Sequence, residues 1–195
     1  MEKEDFKSVY LENRNAWRIW LKENHVSEKN IWLKIYKKQS QTPSVYYDEA
    51  VDEALCFGWI DSSIKKGNEE FYYQFFAKRN PKSNWSRVNK AKIEKLISHG
   101  LMAEAGLKMV EIAKETGTWT ALDDVENLIS PTDLQVKLDQ NPIAEAYFEA
   151  FPRSVKRGIL EWLFNTKQAE TRQKRIEEIV SLAESNERAI QYKPK

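Results

Sequence analysis

One cysteine, six glycines and six prolines are all that 195 residues contain of these types. The lone Cys56 cannot close an internal disulfide, which excludes small disulfide-framework scaffolds and fits a reducing compartment. So little Gly and Pro excludes collagen-like, linker-rich and low-complexity chains. No stretch approaches the roughly 18 apolar residues of a membrane-spanning helix. The opening Met1-Glu2-Lys3-Glu4-Asp5 lacks the apolar run of a secretory signal, so the expectation is a cytoplasmic protein without membrane insertion. An excess of one charge is missing too, since 31 Lys+Arg against 30 Asp+Glu leave +1. That balance argues against nucleic acid as a partner held by bulk charge. With only two histidines, His25 and His99, and one Cys, no metal site is expected. There is no Gly-x-Ser-x-Gly elbow, no Walker A and no Gly-x-Gly-x-x-Gly, so no cofactor is expected either.

Aromatic surface, by contrast, is plentiful, with seven Trp, eight Tyr and eight Phe. A chain of this length buries roughly 70% of its unfolded surface, enough for a core without staples. The patterning predicts an α+β fold: a small antiparallel sheet of about three strands with helices packed on it, followed by a helical C-terminal part. Phe6, Val9, Tyr10, Trp17, Trp20 and Leu21 recur at helical spacing, predicting a first helix from Phe6 to near Asn24. Ile31 to Lys37 alternates as a strand. A helix from Asp48 to Phe57 follows, with Asp48 as N-cap and Gly58 as its stop. Trp59–Lys65 and Glu70–Phe76 read as a hairpin through Gly67-Asn68. From Ser86 onward the pattern is helical, interrupted at Thr118–Ser130, with a last helix from Ala169 to about Arg188 and a polar tail, Gln191–Lys195. Two domains are expected, 1–118 and 119–195, with the join near Trp119–Pro131.

Three features bear on chemistry. Cys56, among Ala54, Leu55 and Phe57, reads as a small core hydrophobe. Glu53 lies close to the apolar face of its helix, where a carboxylate needs a partner: an Arg or Lys from the sheet, or a ligand. Between Tyr72 and Lys95, seven bases interleave with Tyr72, Tyr73, Phe75, Phe76 and Trp85. Such a mixture either holds phosphates and stacks bases, or is an aromatic strand followed by a solvated lysine-rich helix.

Asp48-Glu49-Ala50-Val51-Asp52-Glu53-Ala54-Leu55-Cys56-Phe57-Gly58-Trp59-Ile60-Asp61 is a specific string. Together with Lys82 to Asn89, Gly100 to Gly106 and the closing Ala169 to Ile176, it resembles the YdeI/OmpD-associated, or bacteriocin-protection, family. The family's Pro-Arg pair after the aromatic strand is Lys78-Arg79 here, and its acid after the hairpin turn is Asn68. The resemblance implies a soluble bacterial protein linked to resistance against antimicrobial peptides or to a porin, and it implies no catalytic residues.

The reading that follows is a non-catalytic, stress-related protein binding a small molecule or a protein partner. Its cleft is expected between the Asp48–Phe57 helix, the hairpin and Trp85. Glu53 and Asp61 would supply carboxylates, Arg79 and Asn89 polar anchors, and Trp59, Tyr73 and Trp85 an apolar wall. The enzymatic alternative uses Glu53 or Asp61 as general base with Arg79 as anion clamp. A third reading is nucleic-acid binding through Tyr72–Lys95.

Overall fold

The computed structural model describes residues 6–189; the charged start and the polar tail named above lie outside the described residues. The chain divides between Thr120 and Ala121 into two compact units. The first runs β1 (Ser8–Tyr10), α1 (Arg14–Asn24), β2 (Asn30–Tyr36), α2 (Tyr47–Cys56), β3 (Trp59–Lys66), β4 (Phe71–Lys78), α3 (Arg87–Ser98) and α4 (Glu104–Glu115). Its strands form one mixed sheet in the order β1-β2-β4-β3, with β1 parallel to β2 and the other pairs antiparallel.

The α+β class holds, but the expected three antiparallel strands are four in a mixed sheet. The difference lies at the start of the predicted first helix. Asn13 is the N-cap of α1, its side chain accepting from the Ala16 N–H at 2.9 Å, so the helix begins at Arg14. Val9 and Tyr10 alternate across a short strand instead, with Val9 beside Leu33 and Tyr10 beside Lys34. Helical spacing over so few residues does not distinguish the two. A smaller correction concerns α2, which starts at Tyr47 with Tyr46 as N-cap. Glu49 reaches back to accept from the Tyr46 N–H at 3.1 Å, so Asp48 lies inside the first turn. The hairpin turn is held by the Asn68 side chain, which accepts from the N–H groups of Glu70 and Phe71 at 2.8 and 3.1 Å.

One face of the sheet carries the core. Ile31, Leu33 and Ile35 on β2 pair with Phe76, Gln74 and Tyr72 on β4. Against this face pack Trp17 and Leu21 of α1 and Ala50, Val51, Ala54 and Leu55 of α2. Trp17 satisfies its indole N–H on the Ala50 carbonyl at 3.0 Å. Gly58, at φ +73°, stops α2 and turns the chain into β3. The start of α4 is pressed onto the end of α2, where the Ala103 N–H donates to the Cys56 carbonyl at 3.1 Å. That approach leaves no room for a side chain at Gly106.

The second unit is helical: α5 (Asp123–Glu126), α6 (Thr132–Asp139), α7 (Pro142–Ala150), α8 (Arg153–Phe164) and α9 (Ala169–Glu184). Leu134, Leu138, Phe148, Leu160, Leu163, Ile176 and Ile179 fill its core. α9 ends at Glu184, short of the expected Arg188, because Asn186 turns left-handed at φ +57°. Arg172 grips both oxygens of Asp133 at 2.5 and 2.9 Å, tying α9 to α6. This bond holds the Asp133 carboxyl below its ordinary range. Arg157 reaches Glu126 at 3.0 Å and ties α8 to α5. Among the described residues no helix is long and apolar enough to cross a membrane.

A Cβ at Gly106 would overlap the Cys56 carbonyl, which is backbone and cannot rotate away. Gly106→Ala should therefore cost about 3 kcal/mol, the upper end of ordinary overpacking. Gly100→Ala, in open space at φ +66°, should cost only the left-handed strain of about 1 kcal/mol. Denaturant unfolding of the two variants checks the ranking.

Candidate functional site

Glu53 is 2% exposed, and both its oxygens are taken by α1. Arg14 donates from Nε to Oε1, and Arg18 from Nη1 to Oε2, each at 2.6 Å. The partner expected from the sheet thus comes from a helix one turn of which spaces the two arginines. The hydrogen bond to Glu53 holds the Arg14 guanidinium above its ordinary pKa. At Arg18 burial pulls the other way, but the bond to Glu53 and its charge prevail. Arg18 also donates from Nη2 to the Leu101 carbonyl at 2.7 Å and lies over the Phe57 ring at 5.5 Å. Its guanidinium is thereby fixed between α1, α2 and the segment leading into α4.

Beside it opens a cavity of about 580 Å³ lined by Arg18, Lys22 and His25 from α1, Phe57 after α2, and Ala103, Glu104, Ala105 and Lys108 at the start of α4. His25 hydrogen-bonds the Leu21 carbonyl through Nδ1 at 2.9 Å and leans on Phe57. Ala103 is the N-cap of α4 and offers no side-chain cap. The Ala103 N–H is taken by the Cys56 carbonyl and the Gly106 N–H by the Ala103 carbonyl, which leaves the N–H groups of Glu104 and Ala105 at the cavity, where the helix dipole favours an anion. A second cavity, of about 710 Å³, lies between the end of β2 and the start of α2, where Tyr36, Tyr46, Tyr47 and Tyr72 meet Lys37 and Glu49.

None of the seven expected site residues lines either cavity. Glu53 acts on the first only through Arg18. Trp59 is buried in the core, edge-on to Trp20. Asp61 accepts from the Tyr47 hydroxyl at 2.7 Å; burial and this bond push the Tyr47 pKa up. Tyr73 belongs to the opposite face of the sheet, paired in register with Lys34. Asn89 donates its N–H to Ser86, the N-cap of α3. Only Arg79 and Trp85 are brought together: the guanidinium stacks 3.7 Å above the indole and donates to the Asn84 carbonyl at 2.6 Å. Burial lowers Arg79 to about 10. Trp85 is buried beside Trp119, as an anchor beneath α3 would be.

The basic stretch is dispersed in the same way. Lys78 donates to the Val26 carbonyl, and Lys92 pairs with Asp52 at 2.6 Å and Asp48 at 3.9 Å, relieving the like charges of α2. The cations that do converge have a simple sequence signature: Arg18, Lys22 and His25 follow spacings of four and three, one stripe along α1. Reading His25 only as a metal ligand passes over that stripe.

Residues 9–109, just over half of the chain, match a domain of unknown function, DUF8412. Residues 127–186 match the family described as bacteriocin-protection, YdeI or OmpD-associated. The chain belongs to DUF8412 in its first unit and carries a YdeI/OmpD-associated domain in its second. The Ala169 to Ile176 string falls in the YdeI/OmpD-associated match, whereas the strings around Glu53, Trp85 and Gly106 fall in DUF8412. No curated protein and no solved structure matches the chain. The cavity beside Arg18 is lined wholly from the DUF8412 match.

Two outcomes test this geometry. Glu53→Gln should cost about 2 kcal/mol in denaturant unfolding, less than a fully buried ion pair because both arginines keep contact with water. Cys56 is fully buried, and burial together with the charge of Glu53 pushes its thiol up to about 11. A thiol reagent at neutral pH should then label the native protein at least roughly 100-fold more slowly than the unfolded one, since the thiolate is the reactive form; equal rates would place Cys56 at the surface.

Proposed function

We propose that the protein is a non-catalytic cytoplasmic binding protein whose first unit takes a small molecule bearing a phosphate or carboxylate group. The observation that supports it best is the convergence of Arg18, Lys22, His25 and Lys108 on one cavity at the uncapped start of α4. A volume of about 580 Å³ is ordinary for a small-molecule site. Arg18 is preorganised by Glu53 and Leu101, so a further charge-assisted hydrogen bond to an oxyanion costs little side-chain ordering. Phe57 offers an apolar wall for the rest of the ligand. Both oxygens of Glu53 are engaged by arginines, which favours a positioning role over that of a general base. A stress or antimicrobial-peptide-resistance role accords with the bacteriocin-protection description of the family matched by the second unit.

Calorimetric titration with inorganic phosphate, and with pyrophosphate as a larger probe, tests the reading at low salt. Saturable binding is expected. Lys22→Gln and Lys108→Gln, both exposed and outside the Glu53 cluster, should each weaken it up to about fivefold, as partly solvated charge pairs do. Absence of saturable binding of either anion would overturn the proposal.

A further inference from the structure

The sheet face opposite α1 and α2 carries a second surface, chemically unlike the cavity. Strand alternation places Trp32, Lys34 and Tyr36 of β2 there, paired with Phe75, Tyr73 and Phe71 of β4. None of these belongs to the apolar core, which occupies the other face. The rings touch in series. Tyr36 meets Phe71 at 5.4 Å, and Phe71 meets Tyr73 at 5.5 Å. From Tyr73 the series continues to Phe6 at 5.0 Å, then to Trp32 at 5.6 Å and Phe75 at 4.9 Å. Tyr73 is buried beneath its neighbours, while Phe6, Trp32, Tyr36, Phe71 and Phe75 remain partly exposed.

Two lysines lie on this ribbon. Lys34 holds its ammonium 3.8 Å over Phe71, and Lys65 of β3, in register with Tyr73, holds its own 3.7 Å over Phe6. The strand positions that share this face (Ser8 and Tyr10 on β1, Ile60 on β3, Ala77 on β4) add no carboxylate. A partly exposed aromatic ribbon that carries cations, with no acid at its described strand positions, has a definite complement: flat rings attached to anions.

We infer that this face of the sheet binds single-stranded nucleic acid, its rings stacking bases while Lys34 and Lys65 meet the backbone phosphates. The lysines make the exchange specific. Each now covers one ring face, a contact weaker than base stacking. A phosphate that draws the ammonium aside uncovers the ring for the adjacent base. A sheet face that stacks bases on a few aromatic side chains takes about two or three of them. A second copy of the chain fits less well, because a two-fold contact through this face brings lysines against lysines. The near-neutral chain is no obstacle. Net charge limits binding that rests on many phosphate contacts, whereas here stacking carries most of the affinity and two lysines supply the ionic part.

The full chain is titrated with a labelled oligothymidylate dodecamer, following anisotropy and Trp fluorescence at about 50 and 200 mM salt, with a duplex of the same length as control. Saturable binding of the single strand is expected, stronger than that of the duplex and accompanied by quenching from Trp32. Phe75→Leu should weaken binding roughly tenfold without changing its salt dependence, since one stacking partner is lost. Lys34→Gln and Lys65→Gln should each reduce the slope of log K against log salt by about 0.7. Lys174→Gln, at an exposed i,i+4 pair in the second unit, removes the same charge elsewhere and should change nothing. Thermal melting verifies each fold; if Phe75→Leu unfolds the protein, the Lys34 and Lys65 variants still decide. No binding at 50 mM salt, equal affinity for duplex and single strand, or an equal loss with Lys174→Gln would overturn the inference.

Discussion

The first unit is organised around one buried carboxylate. Glu53 is placed by the apolar register of α2 among side chains that offer it no water, and it survives there because α1 presents two guanidiniums to its two oxygens. A buried charge left unpaired would cost several kcal/mol. α1 and α2 are therefore locked in rotation as well as in distance. The same lock sets Arg18 at an angle from which its second nitrogen reaches the Leu101 carbonyl. The approach of α4 to α2, through Gly106 and the Cys56 carbonyl, then closes the other wall of the cavity. Altering Glu53 thus bears on the cavity at one remove, through its wall and not its contents.

The two faces of the sheet divide the abundant aromatics into separate jobs. On the helix side, Trp17, Trp59 and Phe76 are fully buried and act as core. On the other side, the ring series from Tyr36 to Phe75 meets in edge-on and tilted contacts, which satisfy the ring quadrupoles. Lysine stems lying across the rings keep such a face compatible with water. Composition alone cannot separate these populations, because both are written in the same residues. Strand alternation can, once the register of β2 against β4 is known.

The end of α2 and the hairpin were legible because each has local punctuation: Gly58 and Asn68 mark real boundaries. β1 was not, since three residues carry no period and its pairing with β2 is a tertiary fact. At the site, Glu53 was legible as an anomaly, a carboxylate where the wheel is apolar. Its partners were hidden by the assumption that a sheet would supply them. Arg79 and Trp85 stack as a pair inside the fold and line neither cavity. Trp59 and Tyr73, expected together on one apolar wall, lie on opposite faces of the sheet. A cleft assembled from residues strong in chemistry but unknown in orientation mixes inward and outward positions.

Net charge misleads for a related reason. A formal +1 describes the whole chain, whereas at physiological salt a charge is felt over about 8 Å. Within that range the chain is far from neutral. The start of α2 gathers Asp48, Glu49 and Asp52, partly offset by Lys92 from α3. The wall of the first cavity gathers Arg18, Lys22 and Lys108, offset by Glu104 and by Glu53 behind Arg18. The open sheet face carries Lys34 and Lys65 with no acid among its strand positions. Acids and bases have been sorted by surface, and the sum of +1 that argues against bulk counterion binding leaves each surface free to prefer a partner of opposite sign. Balance over 195 residues is therefore a statement about solubility, and the selection of a partner is decided over the width of a few side chains.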